Sequence, residues 1–239
     1  MEIELYPLGD QAIVAELGTS INLTTHNHVQ QFISHLDSIH PDWMIEYIPA
    51  FTTVTIFYDP LKIHDNYLPD STILPYNWVY QQVLDIAHSA PPREQSQART
   101  IEIPVCYGDE FGPDLEVVAE RSQLQPEEVI NLHTSGDYLV YMIGFAPGFP
   151  YLGGMDEAIA TPRRKDPRSS IPAGSVGIAG SQTGVYPIET PGGWQLIGRT
   201  PYQLFKPQQD PPSLLLAGDR IKFKAISKAE FNKLEEEQL

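Results

Sequence analysis

The side chains best equipped for chemistry are cations set among prolines: Arg163, Arg164, Lys165 and Arg168, with Pro162 and Pro167 between them, in the run PRRKDPRSS. Proline disfavours helix in the residue before it, so the segment stays extended and spreads its charges along a loop. Guanidinium groups meet carboxylates and phosphates with paired N–H donors, and Arg199 supplies another in the run IGRTP. A reaction that develops charge on an oxygen needs donors of this kind, which makes Arg163, Arg168 and Arg199 candidate catalytic residues and Arg164 a candidate anion ligand. The plainer alternative is that they pair with acidic groups of this chain or of a partner.

Just beyond lies GSVGIAGSQTGVYP, in which Gly174, Gly177, Gly180 and Gly184 surround Ser175, Ser181, Gln182 and Thr183, with Tyr186 near the end. Outward-facing backbone N–H groups beside such side-chain donors can cradle an anion, although tight turns of a β structure would use the same residues. The run is neither a phosphate-binding P-loop nor a nucleophile elbow, since GxxxxGK[ST] and GxSxG are both absent from the chain. His133 closes a predicted helix four residues before Asp137. A helix C-terminus favours the imidazolium and Asp137 is near enough in sequence to orient it, so His133 is a candidate general acid or base; capping of carbonyls is the alternative.

Trp194 follows Gly192 and Gly193, and Phe145, Phe149 and Tyr151 extend the aromatic character. Small neighbours leave ring faces open to a pocket or to a partner's surface, against the alternative of ordinary core packing. Cys106 reads as an inert strand thiol, and the His26/His28 pair does not share a helix face. No metal site is expected.

The segment that must position most of these groups, residues 144–205, holds 11 of the 17 glycines and 8 of the 22 prolines, a density that points to a shaped surface. It carries five basic and four acidic residues in a chain of formal net charge −16, so a locally neutral-to-basic strip on an acidic molecule is set to receive an anion. A pI of about 4.7 argues against nucleic acid as the main partner. One cysteine fits a reducing cytosol, no apolar run is long enough to span a bilayer, and the opening MEIELYPLGDQ has no leader pattern, so a soluble cytoplasmic protein is expected.

Strand and helix signals alternate in the first third. Residues 3–17 read as two strands about the turn 7–10, residues 24–39 as a helix, 43–48 and 51–58 as two more strands, and 77–88 as a second helix. The expectation is an α+β N-terminal domain over 1–90, an antiparallel sheet with two helices. A Pro-rich then polar linker follows over 91–99. The third part, 100–226, shows a strand at 101–106, two short helices at 114–121 and 127–133, a strand at 138–143, short apolar pieces at 176–179, 185–188 and 194–198, and a last strand at 220–225. It reads as a β-barrel with long shaped loops and short helices, with a charged helical tail over 227–239.

Three blocks, GFAPGFPYLGG (144–154), PRRKDPRSSIPAGSVGIAGSQTGVYP (162–187) and PGGWQLIGRTP (191–201), closely resemble the KipI family, also called the 5-oxoprolinase B subunits or allophanate-hydrolase-subunit-1-like proteins. The resemblance is strong over residues 100–225 and extends to the opening LGDQAIVAEL. It implies a cyclophilin-like barrel behind the smaller domain. It also implies work alongside two further subunits, a KipA-like C subunit and an A subunit, in an ATP-dependent 5-oxoprolinase that opens 5-oxo-L-proline to L-glutamate. ATP would be bound by this chain or together with a partner. Phe149, Tyr151, Gly192, Gly193 and Trp194 would then face a partner. Some members of the family are instead inhibitors of a sporulation histidine kinase, and related domains sit in urea carboxylase. The cyclophilin Phe-His-Arg signature is absent, so prolyl isomerase activity is not expected.

Overall fold

The structure is a computed structural model that describes residues 2–69, 71–92 and 99–237. The chain divides into two compact units, residues 1–96 and 97–239. Most of the expected linker, residues 93–98, lies outside the described residues.

The first unit runs β1 (Glu4–Pro7), β2 (Ala12–Glu16), α1 (Leu23–Ile39), β3 (Met44–Pro49), β4 (Thr53–Tyr58), α2 (Pro60–Tyr67) and α3 (Pro75–Ser89). Its strands form an antiparallel sheet in the order β1-β2-β4-β3. The period-two alternation of β4 sends Val54, Ile56 and Tyr58 into one core with Ile13, Phe32, Leu36, Val79 and Val83. Asn22 caps α1 as its polar start suggested, accepting from the Thr25 N–H at 2.9 Å. There is one helix more than expected. In α2 Asp59 accepts from the Leu61 and Lys62 N–H groups and Pro60 fills the first turn, yet only Ile63 is buried, so no apolar stripe marks it in the sequence.

The second unit runs β5 (Thr100–Tyr107), α4 (Leu115–Ser122), α5 (Pro126–Ser135), β6 (Tyr138–Ile143), β7 (Pro150–Gly153), a 3-10 turn (Glu157–Ile159), β8 (Arg168–Ile171), β9 (Ser175–Ala179), β10 (Gln182–Val185), β11 (Thr190–Gly192), β12 (Gln195–Arg199), β13 (Arg220–Ala225) and α6 (Lys228–Glu236). Seven strands close into a barrel in the order β10-β7-β6-β13-β5-β12-β9, while β8 and β11 form a separate ribbon. The barrel is mixed, because β13 lies parallel to β5 from Arg220 opposite Thr100 to Ala225 opposite Val105. Val118 of α4 and Val129 of α5 join Ile103, Val140, Val176 and Ile197 in the barrel core. The strand expected at 185–188 stands instead at 182–185, and the short strands β7, β8 and β11 carry too few apolar residues to have been read. No helix among the described residues is long and apolar enough to cross a membrane.

Candidate functional site

The wall formed by β7, β10, β9 and β12 presents two faces. Leu152, Val176, Ile178 and Ile197 point into the barrel core, whereas Phe149, Ile171, Ala179, Tyr186, Trp194 and Leu196 form a second apolar cluster outside it. Phe149 is the hub of this outer cluster, with ring centroids 5.1 Å from Tyr151, 5.4 Å from Tyr186 and 5.5 Å from Trp194, all edge-to-face.

Glycines make that cluster possible. A Cβ on Gly184 would stand 3.0 Å from Phe149 Cζ and 3.2 Å from Trp194 Cζ3, and one on Gly177 would stand 3.1 Å from Trp194 Cβ. Rings therefore stand directly against Gly177 and Gly184 of the GSVGIAGSQTGVYP segment, while the position of Gly180 is open.

The arginines meet an anion that belongs to the protein itself. Asp114, 2% exposed just ahead of α4, accepts from Arg164 Nη1 at 2.8 Å and from Arg168 Nη1 and Nη2 at 2.8 Å each. The Leu196 N–H adds a fourth bond at 2.7 Å, and the Asp114 N–H donates to the Leu196 carbonyl at 2.9 Å. Both carboxylate oxygens are thus saturated, as a buried charge requires. The Arg164 backbone N–H also donates to the Gly193 carbonyl at 2.7 Å, which ties the cationic loop to the bend between β11 and β12 that carries Trp194. Arg164 and Arg168 accordingly hold the loop in place, and the exposed Arg163 and Lys165 project from it.

His133 lies inside the barrel unit, fully buried. Thr183 donates its hydroxyl proton to the Gly177 carbonyl at 3.0 Å, so its oxygen must accept from His133 Nε2, 3.0 Å away. Nδ1 is then the acceptor, and takes the Tyr107 hydroxyl at 2.8 Å. Both ring nitrogens are satisfied in the neutral tautomer and burial lowers the pKa to about 3, so the imidazolium expected from the helix terminus does not form. Nor does Asp137 orient the ring: it pairs with Arg220 at 2.6 Å and Lys222 at 3.4 Å. His133 touches Tyr107, Tyr138, Phe223 and Thr183, a place for holding α5 against the strands and away from any solvent-borne reactant.

The expected residues therefore divide. Phe149, Tyr186 and Trp194 share the outer cluster; Gly192 lets Tyr186 approach, since a Cβ there would stand 2.6 Å from its hydroxyl. Tyr186 is pushed up to about 12 by burial, opposed by a backbone hydrogen bond at Trp194 and by the nearby Arg163 and Arg168 charges. Strand alternation places Gln182 and Ser175 on the outer face with Gly184 and Gly177, Gln182 half-buried and Ser175 buried, while Thr183 faces inward. Arg199 belongs elsewhere: its Nε donates to the Ala173 carbonyl at 2.8 Å, and its guanidinium lies 5.9 Å from the Phe231 ring centroid on α6. An open polar cleft of about 330 Å³ is lined by Arg99, Tyr202, Lys206 and Ser213 among others, and by none of the expected residues. Asp114 and Tyr107 were missed. An acid ahead of a helix reads as an ordinary N-terminal charge, whether or not two arginines later enclose it.

The described residues contain no group of three or more His, Cys, Asp or Glu side chains able to hold a metal ion. What they do present is an aromatic cluster in which Phe149, Tyr186 and Trp194 are themselves buried, against the partner-facing surface expected of Phe149 and Trp194, with Tyr151 half-buried against it and the exposed Arg163 near Tyr186.

The family described as "Carboxyltransferase domain, subdomain C and D" matches residues 3–215. The chain is 50% identical over 234 residues to the 5-oxoprolinase B subunit of Bacillus subtilis, covering 98% of this chain and 97% of that one. It is 42% identical over 218 residues to the 5-oxoprolinase B subunit of Escherichia coli O157:H7, covering 91% and 94%. Among solved structures, TTHA0988 superposes with a TM-score of 0.77 at 30% identity over 91% of this chain, which spans only 40% of that longer chain.

Proposed function

The chain belongs to the carboxyltransferase-domain family of subdomains C and D, among the 5-oxoprolinase B subunits, and on that footing we propose that it is one component of an enzyme that opens the lactam of 5-oxo-L-proline to L-glutamate with ATP. The observation that carries the reading is the match to B-subunit relatives over nearly the full length of both chains. The geometry supports a protein that completes a site with others. The groups best suited to proton transfer or anion binding are internally engaged: His133 with Tyr107 and Thr183, Arg164 and Arg168 with Asp114. Arg163 and Lys165 of the same loop remain exposed, with Arg163 near Tyr186 of the aromatic cluster.

In this reading the barrel unit is cyclophilin-like, the aromatic platform of Phe149, Tyr151, Gly192, Gly193 and Trp194 faces one of the other two subunits, and ATP is held where those subunits contribute. The protein works in the cytoplasm. Arg163 is the residue of the cationic loop left to meet a developing negative charge on the lactam oxygen or on phosphate.

The test is 5-oxoproline-dependent ATP hydrolysis by the purified subunits together, with and without this chain. Activity is expected only when the chain is present, and an undiminished rate in its absence defeats the assignment.

A further inference from the structure

We propose that Phe145 is the anchor through which this chain docks onto another subunit of the enzyme, its ring entering an apolar pocket bordered by acidic groups. The inference rests on the reading above, that the chain works in a multi-subunit enzyme, and adds the residue that makes the contact.

Phe145 stands at the tip of the hairpin joining β6 to β7. The Gly144 N–H donates to the Phe149 carbonyl at 3.1 Å and closes the loop, and the Ala146 N–H donates to the Gly144 carbonyl at 2.8 Å. A bond between residues two apart, with φ of +68° at Phe145 between them, is the strained form of the γ-turn. A Cβ disfavours that backbone, which glycine would adopt freely, yet a phenylalanine occupies the position between Gly144 and Gly148. Its side chain is 66% exposed and touches only the edge of the outer cluster, with centroids 5.4 Å from Phe149 at 76°. Backbone strain and an exposed large ring are two separate costs at one residue, and strain of this kind concentrates at binding sites where the surroundings enforce it.

The surroundings do enforce it. At Gly148, with φ +81°, a Cβ would come within 2.9 Å of Phe205 Cβ, so the base of the loop is pressed against Phe205 and has no slack. Behind the ring, Phe149 is wedged among Tyr151, Tyr186 and Trp194. A rigid aromatic projecting from a prepacked base is the form of an interface anchor, because little ordering remains to be done on binding.

Charge selects the occupant. The exposed Arg163 stands close enough to Tyr186 of the same cluster for its charge to act on that hydroxyl, and the exposed Lys165 follows two residues on, in a chain of net charge −16. A second copy meeting through a two-fold axis would set this basic edge against itself, whereas a different subunit with an acidic edge would be attracted.

The experiment measures the affinity of the full chain for the purified other 5-oxoprolinase subunits of the same organism by titration calorimetry. Phe145→Gly keeps the positive φ and removes the ring, and its melting temperature shows that it folds. It is expected to weaken binding by about 100-fold or more, while Phe145→Leu stays within about 10-fold of wild type. The double charge reversal Arg163→Glu with Lys165→Glu should slow association and remove its salt dependence. Unchanged binding by a folded Phe145→Gly variant overturns the anchor and leaves the family-based assignment standing. Failure of the wild-type chain to bind any of those subunits overturns both. Self-association that Phe145→Gly abolishes overturns the proposal by making a second copy the occupant.

Discussion

Arg168 grips Asp114 across 54 residues of sequence, placing Nη1 on one carboxylate oxygen and Nη2 on the other, each at 2.8 Å. The pair joins the start of α4 to the start of β8, and Arg164 and the Leu196 N–H complete the shell. A charge cluster that suggests an external ligand is thereby converted into a structural clamp for the loop carrying Arg163.

Asp114→Asn should leave two guanidinium groups without their counter-ion and is expected to destabilise the chain by about 3–5 kcal/mol, as for other buried pairs broken on one side. Chemical denaturation measures this. Arg168→Lys retains the charge but loses the paired donors, and a smaller loss of about 1–2 kcal/mol is expected.

His133 makes stability pH-dependent with a definite sign. Unfolded, a histidine takes up its proton near pH 6.5, whereas folded His133 does so only near 3. The unfolded chain binds more protons between those values, so stability falls as pH drops through 6.5 towards 3, by up to about 1.4 kcal/mol per pH unit. The difference in unfolding free energy between wild type and His133→Gln, followed from pH 7 to 4, should shrink along that slope. A pH-independent difference would contradict the neutral, doubly bonded ring.

Gly184→Ala should cost about 1–3 kcal/mol, because the added methyl overpacks against Phe149, Trp194 and the Pro150 carbonyl. Trp194 is the one tryptophan outside the first unit, so its near-ultraviolet circular dichroism reports the disturbance locally.

Arg163 and Arg199, equivalent to the eye in sequence, should separate in the assembled enzyme. Arg163→Ala is expected to lower lactam-dependent ATP hydrolysis by about 10-fold or more, since it removes an exposed donor beside the platform. Arg199→Ala removes a carbonyl bond and a contact with Phe231, and should stay within about 3-fold in rate, with a stability loss of about 1 kcal/mol.

Much of the fold is written in local pattern. The apolar spacing of Val29, Phe32 and Leu36 and the Asn22 cap mark α1, alternation marks β4, and the glycine- and proline-dense stretch marks the face where shape is concentrated, because helix and strand periods and positive-φ turns depend on near neighbours. The three glycine- and proline-rich blocks likewise point to the family from sequence. What the arginines, glycines and His133 do was decided only by folding. Asp114 meets Arg164 and Arg168 across 50 and 54 residues, β13 pairs in parallel with β5 from the far end of the unit, and Thr183 and Tyr107 enclose a histidine that a helix terminus alone would have charged. A side chain's type states what it can donate or accept; whether it meets water, an aromatic ring or an opposite charge depends on which distant segments the closed barrel brings beside it.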